Sequence, residues 1–276
     1  MKKIFAMALA LAMALSLAAC GSSGASSGSS AASGSASGSA AGSALTTVEA
    51  GKLIMSTNAS FPPYEMVKDD GSFEGIDVDI ASKIAEKLGL ELEVMDMDFT
   101  AAVNAPAEGK ADMCMAGLTV NDERKKNLDF SDTYANGVQV VIVPENSDIT
   151  SVDDLANDKM IGTQEGTTGY NYCSASPEDG GYGEDHVIAY TNGATAVQAL
   201  LAGKVDCVVI DSQPAQEYVK ANPGLKILDT EFTNEDYAIA VAKGNTALLD
   251  AINGALNELI SDGTVQTIID SYINAG

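Results

Sequence analysis

Two charged side chains carry the chemistry that is legible in this sequence. Arg124 is the only arginine among 15 basic residues, and it lies in Ala116-Gly117-Leu118-Thr119-Val120-Asn121-Asp122-Glu123-Arg124-Lys125-Lys126, a segment that reads as a strand end turning into a short helix. A guanidinium presents a rigid fork that matches a carboxylate bidentately, which a lysine cannot do. Taken alone, Arg124 fits a structural ion pair better than a ligand clamp, because acidic residues outnumber basic ones, 39 to 15. A weak internal repeat reverses that preference. Gly109-Lys110-Ala111-Asp112 leads into the apolar run Met113 to Ala116, and Gly203-Lys204-Val205-Asp206 leads into Cys207 to Ile210, followed by Asp211. Ligands of open α/β sheets bind beyond the carboxyl ends of strands, so two such units facing each other put Arg124 and Asp211 on opposite walls of one cleft. An arginine facing an aspartate suits a zwitterion. Arg124 would take a carboxylate and Asp211 an ammonium, with the Thr119 hydroxyl and a carbonyl near Ala116 completing the set. Gln164 to Gly169 reads as a helix N-terminus adding N–H donors, and Thr119 with Asp122 fits a capping box aimed at the same spot.

The elements that must position these groups alternate between strand and helix. Leu53 to Met55 and Leu92 to Met95 read as strands, and Ile76, Ile80, Ile84 and Leu88 as one face of a helix stopped at Gly89. The same rhythm recurs through Met160 to Thr163, Val187 to Tyr190, Ala194 to Leu201 and Val205 to Ile210. Two helices close the chain. Aromatic residues are few and there is no tryptophan, so the placement of Phe61, Tyr64 and Phe99 just past strand ends points to an aromatic cleft wall.

The chain ends assign the compartment. Lys2 and Lys3, an apolar run from Ile4 to Leu17, and Leu17-Ala18-Ala19-Cys20 make residues 1–19 a signal peptide too short to span comfortably. The Cys20 ending resembles a lipoprotein signal, with Cys20 lipidated. Residues 21–44 are only Gly, Ser and Ala, a tether with an r.m.s. span of roughly 25 to 30 Å. The net charge of -24 argues against nucleic acid or an anionic membrane surface as partner. Cys114, Cys173 and Cys207 are widely spaced and read as free thiols. The acidic stretch 173–186 around His186 reads as a solvated loop, and no metal or cofactor is expected.

With these residues in view, the chain resembles the extracellular solute-binding proteins of family 3, the amino-acid receptors of ABC importers, over nearly all of residues 48 to 275. The resemblance rests on Ser60-Phe61-Pro62-Pro63-Tyr64-Glu65, Gly75-Ile76-Asp77-Val78-Asp79-Ile80, the block Ala116 to Ser131, Gly166-Thr167-Thr168 and Asp211. It implies an α/β fold of two lobes that close like a flytrap of the type II periplasmic-binding-protein kind. The lobes are residues 45–139 with 238–276, and 140–237, joined by crossing strands near Gln139 to Val143 and Asn234 to Ile239. Carried over by position, Arg124 is the carboxylate clamp and Asp211 the ammonium acceptor. Ala116, Gly117, Thr119, Thr167 and Thr168 are backbone and hydroxyl partners, and Phe61 and Phe99 enclose the side chain. Asn58 and Gln164 are neutral where some relatives carry charge, which favours a polar uncharged or mildly apolar amino acid, with cystine a further candidate. The implied protein is a monomeric, lipid-anchored receptor on the extracytoplasmic face that serves an ABC permease and is not an enzyme. The alternative is a related enzyme, dehydratase-like, or a sensor module using the same cleft.

Overall fold

The computed structural model describes residues 45–229 and 232–273. The signal peptide, Cys20 and the tether expected at 1–44 lie outside the described residues. The chain opens with β1 (Lys52–Thr57), then a small antiparallel sheet of β2 (Ser60–Phe61), β3 (Glu65–Val67) and β4 (Phe73–Glu74). α1 (Ile76–Leu88), β5 (Glu91–Asp96), α2 (Phe99–Asn104) and β6 (Met113–Cys114) follow. The 17-residue strand β7 (Leu128–Pro144) leads into β8 (Ile161–Gln164), α3 (Thr168–Ser174), β9 (Val187–Tyr190), α4 (Gly193–Leu201), β10 (Cys207–Asp211), α5 (Ser212–Ala221) and β11 (Leu225–Ile227). β12 (Thr233–Ala242), α6 (Thr246–Ser261) and α7 (Thr264–Ile273) complete it.

The main sheet has the order β5-β1-β6-β12-β7-β10-β8-β9, with β11 also on β7. On one side of the long pair β7 and β12, the strands β5, β1 and β6 run parallel to one another, and on the other side so do β10, β8 and β9. Each triplet is covered by helices, as parallel strands require. This is the expected two-lobed α/β fold with two crossing strands. Leu53, Met55, Ile76, Ile80, Ile84 and Met113 centre one core with Ile252 and Leu256 of α6. Val140, Ile142, Val197, Leu200, Val208 and Ile210 centre another, and Val141, Val143, Ile161 and Val209 a third on the opposite face of the same strands.

The first long strand changes partner at Gln139, which pairs with both Thr233 and Asp211. Residues 128–139 pair with β12, whereas Val140 to Ile142 pair with β10 inside the second set of cores. Cys114, Cys173 and Cys207 are buried free thiols. The stretch 173–186 is more ordered than a loop: Cys173 and Ser174 close α3, and Pro177–Asp179 and Glu184–His186 form single 3-10 turns.

The four-residue repeat has a structural meaning. Asp112 takes the Ile54 N–H on Oδ2 and the Val48 N–H on Oδ1, both at 2.7 Å, while its own N–H reaches the Ile54 carbonyl at 2.9 Å. Asp206 takes the Met160 N–H at 2.7 Å and returns its N–H to the Met160 carbonyl at 2.8 Å. Each aspartate thus fastens the start of one parallel strand to the start of its neighbour.

Candidate functional site

Beyond the carboxyl end of β6 the chain turns through Gly117, whose φ is +52°. A Cβ there would sit 2.5 Å from Cε1 of Phe61, so the turn needs glycine twice over. The Gly117 N–H donates to Asp77 Oδ2 at 2.9 Å, pointing into the first core instead of the cleft. Ala116 is buried. Arg124 opens a 3-10 turn, its N–H held by Asn121 Oδ1 at 2.8 Å. Its Nη1 donates to the Thr119 carbonyl at 2.7 Å and its Nη2 to the Gly166 carbonyl at 3.3 Å. The guanidinium lies over the Phe99 ring, 5.5 Å from the centroid. Among the described residues Arg124 forms no ion pair, although Lys125 and Lys126 beside it pair with Asp122 and Glu123. Burial lowers its pKa, opposed by the charges of Glu235 and Asp211 and by Cys114.

The capping box expected from Thr119 and Asp122 does not form. The Thr119 hydroxyl donates instead to Glu235 Oε2 at 2.8 Å, because an isolated bridge to Tyr237 places Thr119 beside β12.

On the other wall Asp211 ends β10. Its Oδ2 accepts from Gln139 Nε2 at 2.8 Å and its Oδ1 from the Tyr237 hydroxyl. Burial, and then the charge of Glu235, push its pKa up to about 7, against which the Tyr237 and Gln139 bonds work. Gln139 Nε2 also donates to Glu235 Oε2 at 3.1 Å. A continuous chain of polar contacts therefore runs from Arg124 through Thr119, Glu235 and Gln139 to Asp211.

Thr167 caps α3, accepting from the Tyr170 N–H at 3.2 Å and donating to the Gln164 carbonyl at 2.8 Å. Thr168 is buried behind it. Asn58 and Gln164 face each other across the walls: Gln164 Nε2 donates to Asn58 Oδ1 at 3.0 Å and to the Thr191 carbonyl at 3.2 Å. Asn58 Nδ2 donates to the Met97 carbonyl at 2.8 Å. Phe61 packs against both the first and the second core. Phe99 starts α2 and is 8% exposed, under Arg124. Tyr64, read as part of an aromatic wall, is core: it is 2% exposed, stacked on Phe61 and edge-on to Tyr237. A cavity of about 150 Å³ beside the guanidinium is lined by Thr100, Asn121, Arg124, Gly166 and Asn171, among others.

Several residues of the site were not picked out by sequence reasoning: Glu235, Gln139, Tyr237 and the buried pair Asp77 and Glu65. Signals for two of them exist. Gln139 interrupts the apolar run Val138 to Val143, and Glu235 shares the inward alternation of β12 with Tyr237, while Asp236 between them is exposed. Asp77 accepts from the Tyr134 hydroxyl at 2.7 Å, and burial raises its pKa to about 6. Glu65 beside it is fully buried, and burial and then the charge of Asp77 push its pKa well up.

Two parallel-stranded halves on either side of a crossing pair, with one guanidinium and two carboxylates joined by hydrogen bonds at that pair, define a class of two-lobed binding proteins. Residues 53–275 match the bacterial extracellular solute-binding proteins, family 3, and the chain belongs to that family. It is 33% identical to the arginine-binding extracellular protein ArtP of Bacillus subtilis (strain 168) over 79% of this chain and 84% of that protein. To the L-cystine-binding protein TcyJ of Escherichia coli (strain K12) it is 30% identical, over 82% and 84%. The crystal structure of the substrate binding protein of an amino acid ABC transporter superposes with a TM-score of 0.75 at 36% identity, covering 81% of this chain and 100% of that one. These relatives are amino-acid binding proteins.

Proposed function

We propose that this chain is an extracytoplasmic receptor that captures one amino acid by its α-carboxylate and α-ammonium and hands it to an ABC importer. The observation that carries the reading is Arg124, a guanidinium with no carboxylate partner among the described residues, set at the far end of a polar chain from Asp211. Arg124 grips the carboxylate and Asp211 accepts from the ammonium. Thr119, Thr167, Thr168 and the Ala116 backbone line the grip, and Phe61 and Phe99 flank the side chain with Asn58 and Gln164. Residues 45–139 with 238–276 move as one lobe and 140–237 as the other, about β7 and β12. The protein acts as a monomer, held to the membrane through lipid on Cys20. The ligand leaves unchanged.

A melting screen against the amino acids tests this. A ligand that binds only the folded state, at about a hundred times its Kd, adds roughly 2.7 kcal/mol. At about 2 to 4 °C per kcal/mol for a body of this size, a true ligand raises the midpoint by roughly 5 to 10 °C. Decarboxylated and N-acylated analogues are expected to have no effect. Sugars or peptides as the active compounds, or consumption of the best hit, would overturn the reading. Retention of Cys20→Ser protein on salt-washed membranes would overturn the anchor.

A further inference from the structure

One buried carboxylate ties together two pieces of the wall that carries Arg124. Asp77 stands in the first turn of α1, where the Ile76 and Asp77 N–H groups donate to the Pro63 and Tyr64 carbonyls at 3.0 and 2.9 Å. Those bonds dock the helix on the hairpin that holds Phe61. The Asp77 side chain turns the other way, accepting the Gly117 N–H on Oδ2 and the Tyr134 hydroxyl on Oδ1. Gly117 lies against the Phe61 ring, and the chain runs on from it to Thr119 and Arg124.

A second carboxyl sits behind the first. Glu65 faces Phe61 across the hairpin, is fully buried like Asp77, and has no hydrogen-bond partner of ordinary geometry on either oxygen. Asp77 lies beside it and is the charged group that acts on it most strongly. The other titratable groups facing the two are Tyr64, Tyr134 of β7, Cys114 of β6, Asp96 of β5 and Tyr218 of α5, and none of these is a cation. Tyr64, edge-on to Tyr237, stands between them and Asp211. Two negative charges buried side by side with no cation are costly, and one retained proton removes most of that cost.

We infer that Asp77 and Glu65 hold one proton between them, and that the ionised Asp77 is a positioning residue that sets the Gly117 turn from which Thr119 and Arg124 reach the amino acid. This rests on the reading of the cleft as an amino-acid site and deepens it with a group that never touches the ligand. A second proton on the pair turns Asp77 from a charged acceptor into a neutral one, and a bond to a charged acceptor is about twice as strong. The turn then loosens, and the grip loosens with it. By linkage, an amino acid that binds the set turn favours the ionised Asp77 and lowers the pH at which that second proton is taken up.

The Gly117 amide proton reports the Asp77 charge directly. NMR of the full chain follows it with pH, first alone and then saturated with whichever protein amino acid, or L-cystine, binds tightest in calorimetry. The protein alone should show a transition at about pH 6, where burial puts the Asp77 carboxyl. Saturation should lower that midpoint by about half a unit to one unit, which corresponds to roughly threefold to tenfold tighter binding by the ionised form. Asp77→Asn should therefore weaken binding at neutral pH by about the same factor and abolish the Gly117 transition. Glu65→Gln, whose amide donates in place of the shared proton, should bind within about threefold of wild type. A Gly117 amide without a transition, or with a midpoint that does not move on saturation, overturns the inference and needs no variant to fold. Unchanged affinity in folded Asp77→Asn also overturns it, because Asp77 would then hold the core and not the site. If no amino acid binds, the amino-acid reading itself falls and takes the positioning role with it; tight binding with an unmoved Gly117 midpoint leaves that reading standing and removes only the role.

Discussion

The β1 and β6 pair and the β8 and β10 pair are built alike up to the ends of their strands and differ from there. Both start from a positive-φ glycine, Gly109 or Gly203, and both use an aspartate to clip one strand to the next. Past β10 the candidate carboxylate, Asp211, is the last residue of the strand itself, and α5 begins at the next position. Past β6 the chain leaves the sheet, and the guanidinium comes ten residues later, from a turn held by Asn121. A short acid is placed by the sheet, whereas a long base is placed by a loop and reaches over to the Gly166 carbonyl on the other half. The repeat therefore supplies the frame and leaves each wall free to present its own charge.

The widest test of that symmetry is to remove each charge. Truncating one partner of a desolvated charge pair costs roughly 2 to 5 kcal/mol, so Arg124→Ala and Asp211→Ala should each weaken amino-acid binding by about thirty-fold to several thousand-fold in calorimetry, with folding retained. Unaltered affinity in either variant would break the two-wall picture. The clips come next. Asp112 is buried and holds two N–H groups, while Asp206 is exposed and holds one. Hydrogen bonds to a charged group contribute about 1.5 to 3 kcal/mol where water is excluded, so Asp112→Ala should cost about 3 kcal/mol and Asp206→Ala about 1 in urea unfolding. Equal losses would mean that the repeat is equivalent in energy as well as in form.

A third, smaller effect separates closure from folding. Gly166 and Gly203 have similar φ values, +75° and +65°, so alanine strains both backbones by about 1 to 2 kcal/mol. A Cβ on Gly166 would lie 2.5 Å from Thr100 Oγ1 across the cleft, whereas one on Gly203 meets nothing within 4 Å. Gly166→Ala should lower affinity about tenfold, and Gly203→Ala should leave it unchanged, at matched losses of stability.

Much of the frame was legible because it follows from period and punctuation. The Ile76 to Leu88 stripe, the apolar strands and the glycine-aspartate repeat each announce an element, and Arg124 and Asp211 stand out by rarity or position. The inner network did not stand out. Glu235 and Gln139 gain their meaning only when β7 and β12 pair, a contact of about a hundred residues' separation that no local pattern encodes. Thr119 was assigned to local capping, and a long-range partner won its hydroxyl.

The two walls should also differ in pH dependence. Burial pushes the Asp211 carboxyl up to about 7 from an ordinary 3.8, so between those values the folded state holds a proton that the unfolded chain has released. Its stabilising contribution is complete below about pH 4 and is lost as pH rises through 7, with a slope of at most about 1.4 kcal/mol per unit. Ammonium binding needs the ionised form, so affinity should fall as pH drops below 7. Melting and titration of wild type against Asp211→Asn, from pH 4 to 8, isolate both trends. Parallel curves would place the proton elsewhere, on Asp77 for instance, and leave the two walls unequal only in shape.

The three buried cysteines add a dimension of time. Only a thiolate reacts at a useful rate, and burial pushes Cys114 and Cys173 up to about 12 and Cys207 higher still. Each sulfur must wait for its surroundings to open before an oxidant or alkylating reagent can reach it. Cys114 lies among Phe99, Leu118 and Ala240, and Cys173 and Cys207 lie together among Val141 and Ile161. The molecule thus carries a separate clock in each half, one set by how often the β6 side breathes and the other by the β10 side.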